Sequence, residues 1–194
     1  MYSSQILTGD LVVQLYLDKR TVFKVTDIAM LTGESNPGLL TRKLIHAART
    51  GKIQNPRRGI YTKPGYNPEE LAVKLYPPSY LSLQYVLERA GVIFQYAESI
   101  TAISYLSREV EVDKRIIKFR KCKQQILYDW KGIGQSDQGV FRASPERAFL
   151  DLCYLEPDYH FDNLNPLDRK LVVDLLPVFS SPTLTKRVLN LIGS

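Results

Sequence analysis

The stretch "VTDIAMLTGESNPGLLTRKLIHAARTGKI", residues 25–53, decides the fold of the first third of this chain. A short apolar run stops at Gly33, and a longer amphipathic run begins two residues later and stops at Gly51. Because glycine readily adopts the left-handed conformation in which helices commonly end, both glycines predict helix C-termini. The stretch therefore predicts a short helix, a tight turn and a second helix, which is the helix-turn-helix arrangement.

The residues that begin these two helices fit the same arrangement. Thr26 is the expected N-cap of the first helix, since its hydroxyl can accept a backbone N–H bond. Asn36 is the expected N-cap of the second helix, and Pro37 suits the first helical position because that position needs no N–H donor.

The second predicted helix has one apolar face and one basic face. At about 100° per residue, the apolar face collects four residues: Leu40, Leu44, Ala47 and Ala48. The opposite face shows Gly38, Arg42, His46 and Arg49, with Ser35 and Asn36 at its N-terminal end. In a helix-turn-helix the second helix enters the major groove, where Arg42 can pair with guanine and Asn36 with adenine or phosphate. His46 is either a donor in the groove or an ordinary surface histidine.

The next segment, "NPRRGIYTK" (55–63), predicts a basic hairpin. Ile53 precedes it, and Ile60 and Tyr61 follow a turn that contains two arginines and a glycine, so we expect two short strands joined at the turn. In a winged helix-turn-helix such a hairpin is the wing, and its tip lies against nucleic-acid phosphates. The predicted DNA-contacting residues are Ser35, Asn36, Gly38, Arg42, Lys43, His46, Arg49, Arg57, Arg58 and Lys63.

The charge distribution points to the same third of the chain. The protein has 194 residues and a formal net charge of +6. Residues 1–65 contain ten basic and four acidic residues, a net charge of +6, whereas the remainder contains sixteen of each and is neutral. Clustered positive charge on one small module is what phosphate neutralisation by a DNA-binding domain requires, although a solvated basic face would have the same composition.

The proline- and glycine-rich segment "KPGYNPEE" (63–70) predicts a domain boundary, with a winged helix-turn-helix domain in 1–65 and a second domain in 66–194. The second domain is expected to be α+β, with a small antiparallel sheet followed by C-terminal helices. The expected strands are 98–108, 114–123, 124–133 and 139–144. The expected helices begin at Asn67–Pro68, within 79–93 with Ser82 as a cap, at Ser144–Pro145, at Asn165–Pro166 and at Ser181–Pro182.

The sequence predicts no enzyme, cofactor or metal site. Cys122 and Cys153 have no metal-ligand spacing with either histidine, so we expect two buried, reduced thiols. Glu146 and Asp151 lie about 140° apart around a helix, which is poor for a shared catalytic site, and Arg147 is expected to pair with Asp151 on the surface. Because no membrane-length apolar run and no signal peptide pattern is present, we expect a cytoplasmic protein without a membrane partner.

The order of these motifs resembles the AbiEi-type antitoxins of type IV toxin–antitoxin systems, a family first named for abortive phage infection. Four stretches carry the resemblance: the helix-turn-helix quoted above, the wing "RRGIYTK", the segment "YPPSYLSLQYVLERAGVI" and the helix "SPERAFLDLCY". The resemblance implies a transcriptional regulator that represses its own operon by binding operator DNA through the N-terminal domain. It also implies that the second domain counteracts a nucleotidyltransferase-like toxin encoded alongside.

Two alternatives stay open at this point. The chain also fits a winged-helix transcription factor that senses a small ligand or dimerises, without a toxin partner. The basic residues of the strand 114–123 either form a solvated sheet face or meet an acidic toxin, tRNA or DNA; they are Arg115, Lys118, Arg120, Lys121 and Lys123.

Overall fold

The structure, a computed structural model, describes residues 10–96 and 98–193, and it has the expected α+β class. Its helices are α1 (Leu11–Leu17), α2 (Val25–Thr32), α3 (Pro37–Arg49), α4 (Pro68–Leu75), α5 (Gln84–Arg89), α6 (Gln124–Leu127), α7 (Pro145–Leu155), α8 (Arg169–Leu175) and α9 (Pro182–Ile192). Its strands are β1 (Val22–Lys24), β2 (Gln54–Arg57), β3 (Ile60–Thr62), β4 (Ser79–Leu81), β5 (Ile100–Ser104), β6 (Arg108–Val112), β7 (Arg115–Lys121), β8 (Ile133–Gln135) and β9 (Phe141–Ala143).

Residues 10–62, called here the N-terminal module, contain three helices and a three-stranded antiparallel sheet in the order β1-β3-β2. The predicted hairpin is confirmed, and Arg57 lies opposite Ile60 at its end. The two-residue turn between them ends in Gly59, whose φ of 80° is a conformation that glycine adopts without strain. A compact core beneath α2 and α3 includes Phe23, Leu44 and Tyr61.

The helix ends of this module follow local signals closely. Asn36 caps α3 as predicted, because its side-chain oxygen accepts the backbone N–H groups of Gly38 and Leu39 at 3.0 Å each. The prediction that Thr26 caps α2 is wrong. Strand β1 runs directly into α2, so Lys24 occupies the cap position. The backbone N–H of Lys24 donates to the carboxylate of Asp27 at 3.0 Å.

Residues 66–193, called here the C-terminal module, contain a six-stranded mixed sheet in the order β6-β7-β5-β4-β9-β8. The predicted small antiparallel sheet is therefore wrong for this part of the chain. A bend after Ser104 divides the expected strand 98–108, so that Arg108 begins the separate edge strand β6. Strand β6 pairs with β7 and not with β5. The strands β5 and β7 lie side by side in parallel, and so do β4 and β9.

Three further predictions about local structure are wrong. Of the expected strand 124–133, only Ile133 lies in a strand, as the first residue of β8; the rest forms the short helix α6 and a loop, whose backbone carbonyls accept hydrogen bonds from a buried arginine of α7. Ser82 does not cap a helix; its hydroxyl donates to Asp151 at 2.7 Å and α5 begins at Gln84. Helix α8 is capped by Asp168, not by Asn165. The predicted caps of α4, α7 and α9 are confirmed: Asn67, Ser144 and Ser181.

The three-stranded sheet of the N-terminal module contributes side chains to the hydrophobic cores of both modules. Successive side chains of a strand point to opposite faces, and accordingly Phe23 and Tyr61 enter the core of the N-terminal module, whereas Val22 and Ile60 enter the core of the C-terminal module. The fully buried carboxylate of Glu70 on α4 accepts the backbone N–H of Val22 at 3.1 Å, and it also accepts the N–H and hydroxyl of Thr21 at 2.7 and 2.8 Å.

The two thiols are free and buried, as predicted. Burial raises the pKa of Cys122 and of Cys153 to about 12, so both are protonated and unreactive at neutral pH. Among the helices of the described residues, none has the length and apolar character needed to cross a membrane.

Candidate nucleic-acid interface

Helix α3 presents the two faces that its sequence predicts. Leu40, Leu44 and Ala47 are buried against the core, and Ala48 is half-buried beside them. The opposite side is exposed to solvent along the whole helix, and it consists of Gly38, Arg42, His46 and Arg49, with Ser35 and Asn36 exposed at the N-terminal end. Six of the predicted DNA-contacting residues therefore lie on one continuous surface.

The two arginines of this surface are free to bind an external anion. Within residues 10–96 and 98–193, neither Arg42 nor Arg49 forms an ion pair with a carboxylate. Lys43 differs, because its ammonium bonds Glu34 at 2.9 Å. This hydrogen bond lowers the pKa of Glu34, so the charge of Lys43 is already balanced in the free protein.

The N-terminal end of α3 has one polar group to spare. The side-chain oxygen of Asn36 is committed to capping the helix, whereas its amide nitrogen makes no hydrogen bond within the described chain. Because adenine is read by a side chain that both donates and accepts, Asn36 can offer only the donor while it caps. This geometry favours a phosphate over adenine as the partner of Asn36.

The two hairpin arginines have different surroundings. Arg58 is exposed at the turn and has no carboxylate partner among the residues described. Arg57 is half-buried: its guanidinium donates to the hydroxyl of Tyr76 at 3.2 Å and lies 5.9 Å from the ring centroid. Arg108 on β6 approaches the same tyrosine in the same way, at 3.2 and 5.8 Å. Arg57 therefore links the two modules, and Arg58 is the cation at the tip.

Lys63 is half-buried, and its ammonium is bonded by the protein itself. Its ammonium donates to the backbone carbonyl of Asp18 at 2.6 Å and to that of Tyr16 at 3.4 Å, at the C-terminal end of α1. Carbonyls at a helix C-terminus attract a cation. Lys63 therefore stabilises this helix end, and it does not share the exposed surface of α3.

Sequence reasoning missed one cation near the hairpin tip. The backbone N–H of Val25 donates to the carbonyl of Gly59 at 3.2 Å, which fixes the tip against the start of α2. Lys24 therefore lies beside Arg57 and Arg58 around a depression of about 340 Å³. What places Lys24 there is the register of β1 against β3, in which Lys24 is paired with Ile60. No local sequence pattern reveals this register, so the sequence alone could not predict the position of Lys24.

The candidate carboxylates of the C-terminal module do not form a shared site. Asp151 is buried, and it accepts hydrogen bonds from Ser82 at 2.7 Å, from Tyr80 at 3.3 Å and from Arg147 at 3.3 Å. Burial raises the pKa of Asp151 and the neighbouring Arg147 opposes that rise. Glu146 instead accepts the backbone N–H of Asp168 at 3.2 Å.

The expected surface pair Arg147–Asp151 is in fact a core pair, with 0% and 1% of the two side chains exposed. The Arg147 guanidinium reaches the carbonyls of Ile126, Asp129 and Lys131 at 2.8–3.1 Å and the hydroxyl of Tyr80 at 3.1 Å. Its donors are thus satisfied by the protein itself. The sequence misled because an i, i+4 pair of charges is more often found on a helix surface.

Two of the basic side chains of strand β7 form ion pairs with acidic residues of neighbouring elements. Lys118 pairs with Glu109 of β6 at 3.6 Å, and Arg120 pairs with Glu156 at 2.5 Å. Its outward charges are thus partly compensated, which weakens the case for this strand as a nucleic-acid surface.

Comparison of the chain with protein-family models and with curated proteins found no match.

Proposed function

We propose that this chain is a DNA-binding transcriptional autorepressor and an antitoxin of a type IV toxin–antitoxin system. In this proposal the N-terminal module is a winged helix-turn-helix that binds operator DNA of its own operon. One observation carries the DNA-binding half: α3 exposes a continuous row of residues with two arginines that the described protein leaves without a carboxylate partner. The element order, with two helices followed by a hairpin, supports the same assignment.

The proposed binding mode follows from these positions. Helix α3 enters the major groove, where Arg42 contacts a base edge and Arg49 a phosphate further along the helix. Arg58 and Lys24 at the hairpin tip bind the sugar–phosphate backbone. Base contacts then set specificity, while the tip adds affinity for any sequence.

The antitoxin half rests on the resemblance of the C-terminal segments to the AbiEi family. The neutral charge of residues 66–194 and the separate, internal roles of Glu146 and Asp151 support neutralisation without catalysis by this chain. The proposed partner is a nucleotidyltransferase-like toxin encoded alongside.

For the DNA-binding half, we expect Arg42→Ala to weaken binding to DNA from upstream of its own gene by about 1–3 kcal/mol and to reduce discrimination against random DNA. Arg58→Ala should weaken binding to both DNAs equally and reduce the slope of log affinity against log salt by about 0.9. Fluorescence anisotropy across a salt series measures both effects, with Lys170→Ala, a change of an exposed lysine on α8, as the unaltered control. Equal losses on both DNAs for Arg42→Ala would assign this residue to phosphate, and unaltered binding in both variants would refute the proposed interface.

For the antitoxin half, growth is measured in cells that express the adjacent toxin gene together with this chain. We expect the wild type and Glu146→Gln to protect equally, because the role of Glu146 is structural: it accepts a backbone N–H and lies in the first turn of α7. The substitution removes only the interaction of its charge with the helix dipole, about 0.3–1 kcal/mol of stability. A wild-type chain that gives no protection would reject the antitoxin role. Loss of protection by a Glu146→Gln protein with unchanged melting would reject the non-catalytic reading.

A further inference from the structure

A cleft of about 690 Å³ lies between the N-terminal module and the C-terminal module. Its walls come from the start of α2, from the segment around Pro77 and from the loop and strands around Trp130 and Phe141. Small-molecule sites typically measure about 300–1,000 Å³ and occur preferentially where two domains meet. The size and the position of the cleft are therefore those of a ligand site.

One wall of the cleft is aromatic and partly open. The indole of Trp130 packs on the ring of Phe141, with centroids 4.7 Å apart and planes at 45°. Nevertheless 43% of Trp130 remains exposed, which is a large apolar surface to leave in water. Phe141 fixes the indole against the protein, and the exposed part of the indole offers a rigid platform for a second flat ring.

Another part of the lining carries an excess of positive charge, with Arg20, Lys24 and Lys74 against Asp27. Asp27 pairs with Lys74 at 2.8 Å, and Arg20 pairs with Asp18 at 2.6 Å just outside the cleft. Lys24 forms no ion pair in the part of the chain that the structure describes. After these pairings one ammonium group is left to attract an anion.

A hydrogen-bond donor completes the lining. The side-chain oxygen of Gln138 accepts the amide of Asn67 at 2.7 Å, which holds the Gln138 carboxamide in place. Its amide nitrogen has no protein partner in the described chain and can donate to a ligand acceptor. An oriented donor beside an aromatic platform is typical of sites that recognise heteroaromatic or carbonyl-bearing rings.

We propose that this cleft binds a small planar aromatic molecule that carries one phosphate or carboxylate group. Its ring stacks on Trp130, its anionic group binds Lys24, and Gln138 donates to a ring acceptor. Because Lys24 also lines the depression at the hairpin tip, the ligand anion competes with a DNA phosphate for the same ammonium. This regulatory site goes beyond the proposed function, and its test below needs no DNA and no toxin.

The chain itself provides the reporter, because Trp130 is its only tryptophan. The fluorescence of the full-length protein is measured during titration with adenosine 5′-monophosphate and, separately, with phenylacetate. Adenosine and phenylacetamide serve as the uncharged counterparts. We expect a saturable change with at least one charged probe below about 1 mM, which corresponds to roughly −4 kcal/mol. The probe that responds distinguishes a nucleotide from an aromatic carboxylate.

Variants tie the signal to the cleft. Lys24→Gln should lower the affinity for the charged probe by about tenfold, which corresponds to the loss of one charge-assisted contact. The affinity for the uncharged counterpart should not change. Lys170→Gln, far along the chain on α8, should leave both unchanged. Trp130→Ala, followed by calorimetry in place of fluorescence, should also weaken binding. The proposal is overturned by a lack of saturation with both charged probes, by equal affinity for the uncharged molecules, or by an unaltered affinity of a folded Lys24→Gln protein.

Discussion

Replacing Arg147 with methionine lowers the free energy of unfolding by about 3–5 kcal/mol, the largest effect that we expect from a single substitution in this protein. The change leaves the carboxylate of Asp151 buried without a compensating charge, although Ser82 and Tyr80 still bond it. It also removes the donors that satisfy the three carbonyls of the α6 region. In a chain of this size we expect a fall in melting temperature of about 10 °C.

The matched control is Arg120→Met. Arg120 also pairs with a carboxylate of the same module, but 39% of its side chain and 32% of that of Glu156 are exposed. Exposed pairs contribute about 0–1 kcal/mol because water and salt screen them. Chemical denaturation of both variants measures the difference. If both variants lost a similarly small amount of unfolding free energy, the buried hydrogen-bond network of Arg147 would not be what stabilises the α6 region.

Replacing Glu70 with alanine should lower the free energy of unfolding by about 3 kcal/mol and loosen the contact between the modules. The substitution removes one fully buried carboxylate that accepts three hydrogen bonds from Thr21 and Val22. Hydrogen bonds to charged groups contribute about 1.5–3 kcal/mol each, and the substitution would leave the buried N–H of Val22 and the half-buried N–H of Thr21 without this acceptor. Hydrogen exchange should therefore accelerate at the amides of Thr21 and Val22 before it changes in β5.

Glu69→Ala is the comparison for this prediction. Glu69 neighbours Glu70 on α4, but its carboxylate binds Tyr85 and Arg142, which both belong to the C-terminal module. We expect a smaller loss of stability and unchanged exchange at β1. If Glu69→Ala and Glu70→Ala accelerated exchange at Val22 equally, the role of Glu70 as the specific link would be refuted.

The parts of the fold that the sequence predicts well are those with local causes. Asn36 caps α3 because its side chain reaches backbone groups two and three residues away. The hairpin follows from a glycine in a two-residue turn, and the exposed row on α3 follows from helical periodicity. Most of the exposed row on α3 therefore follows from the sequence alone.

The parts that the sequence does not predict depend on distant partners. Nothing within 98–123 indicates that β7 crosses to lie parallel to β5, because strand order is set by packing across the whole sheet. The burial of Arg147 depends on carbonyls some twenty residues earlier in the chain. The position of Lys24 beside the hairpin tip depends on a strand pairing across about forty residues of sequence.

The alternation along β1 and β3 limits how this DNA-binding proposal can be exploited in engineering. Each of these strands contributes one side chain to each core. Phe23 and Tyr61 pack in the core of the N-terminal module, and Val22 and Ile60 pack in the core of the C-terminal module. A chimaera that fused residues 10–62 to a foreign effector would leave Val22 and Ile60 in water, on a sheet whose edges can pair with other chains. Such a transplant needs polar replacements at those two positions, or must carry α4 along as a lid. The recombination point that preserves both cores therefore lies after α4 and not within the segment between β3 and α4.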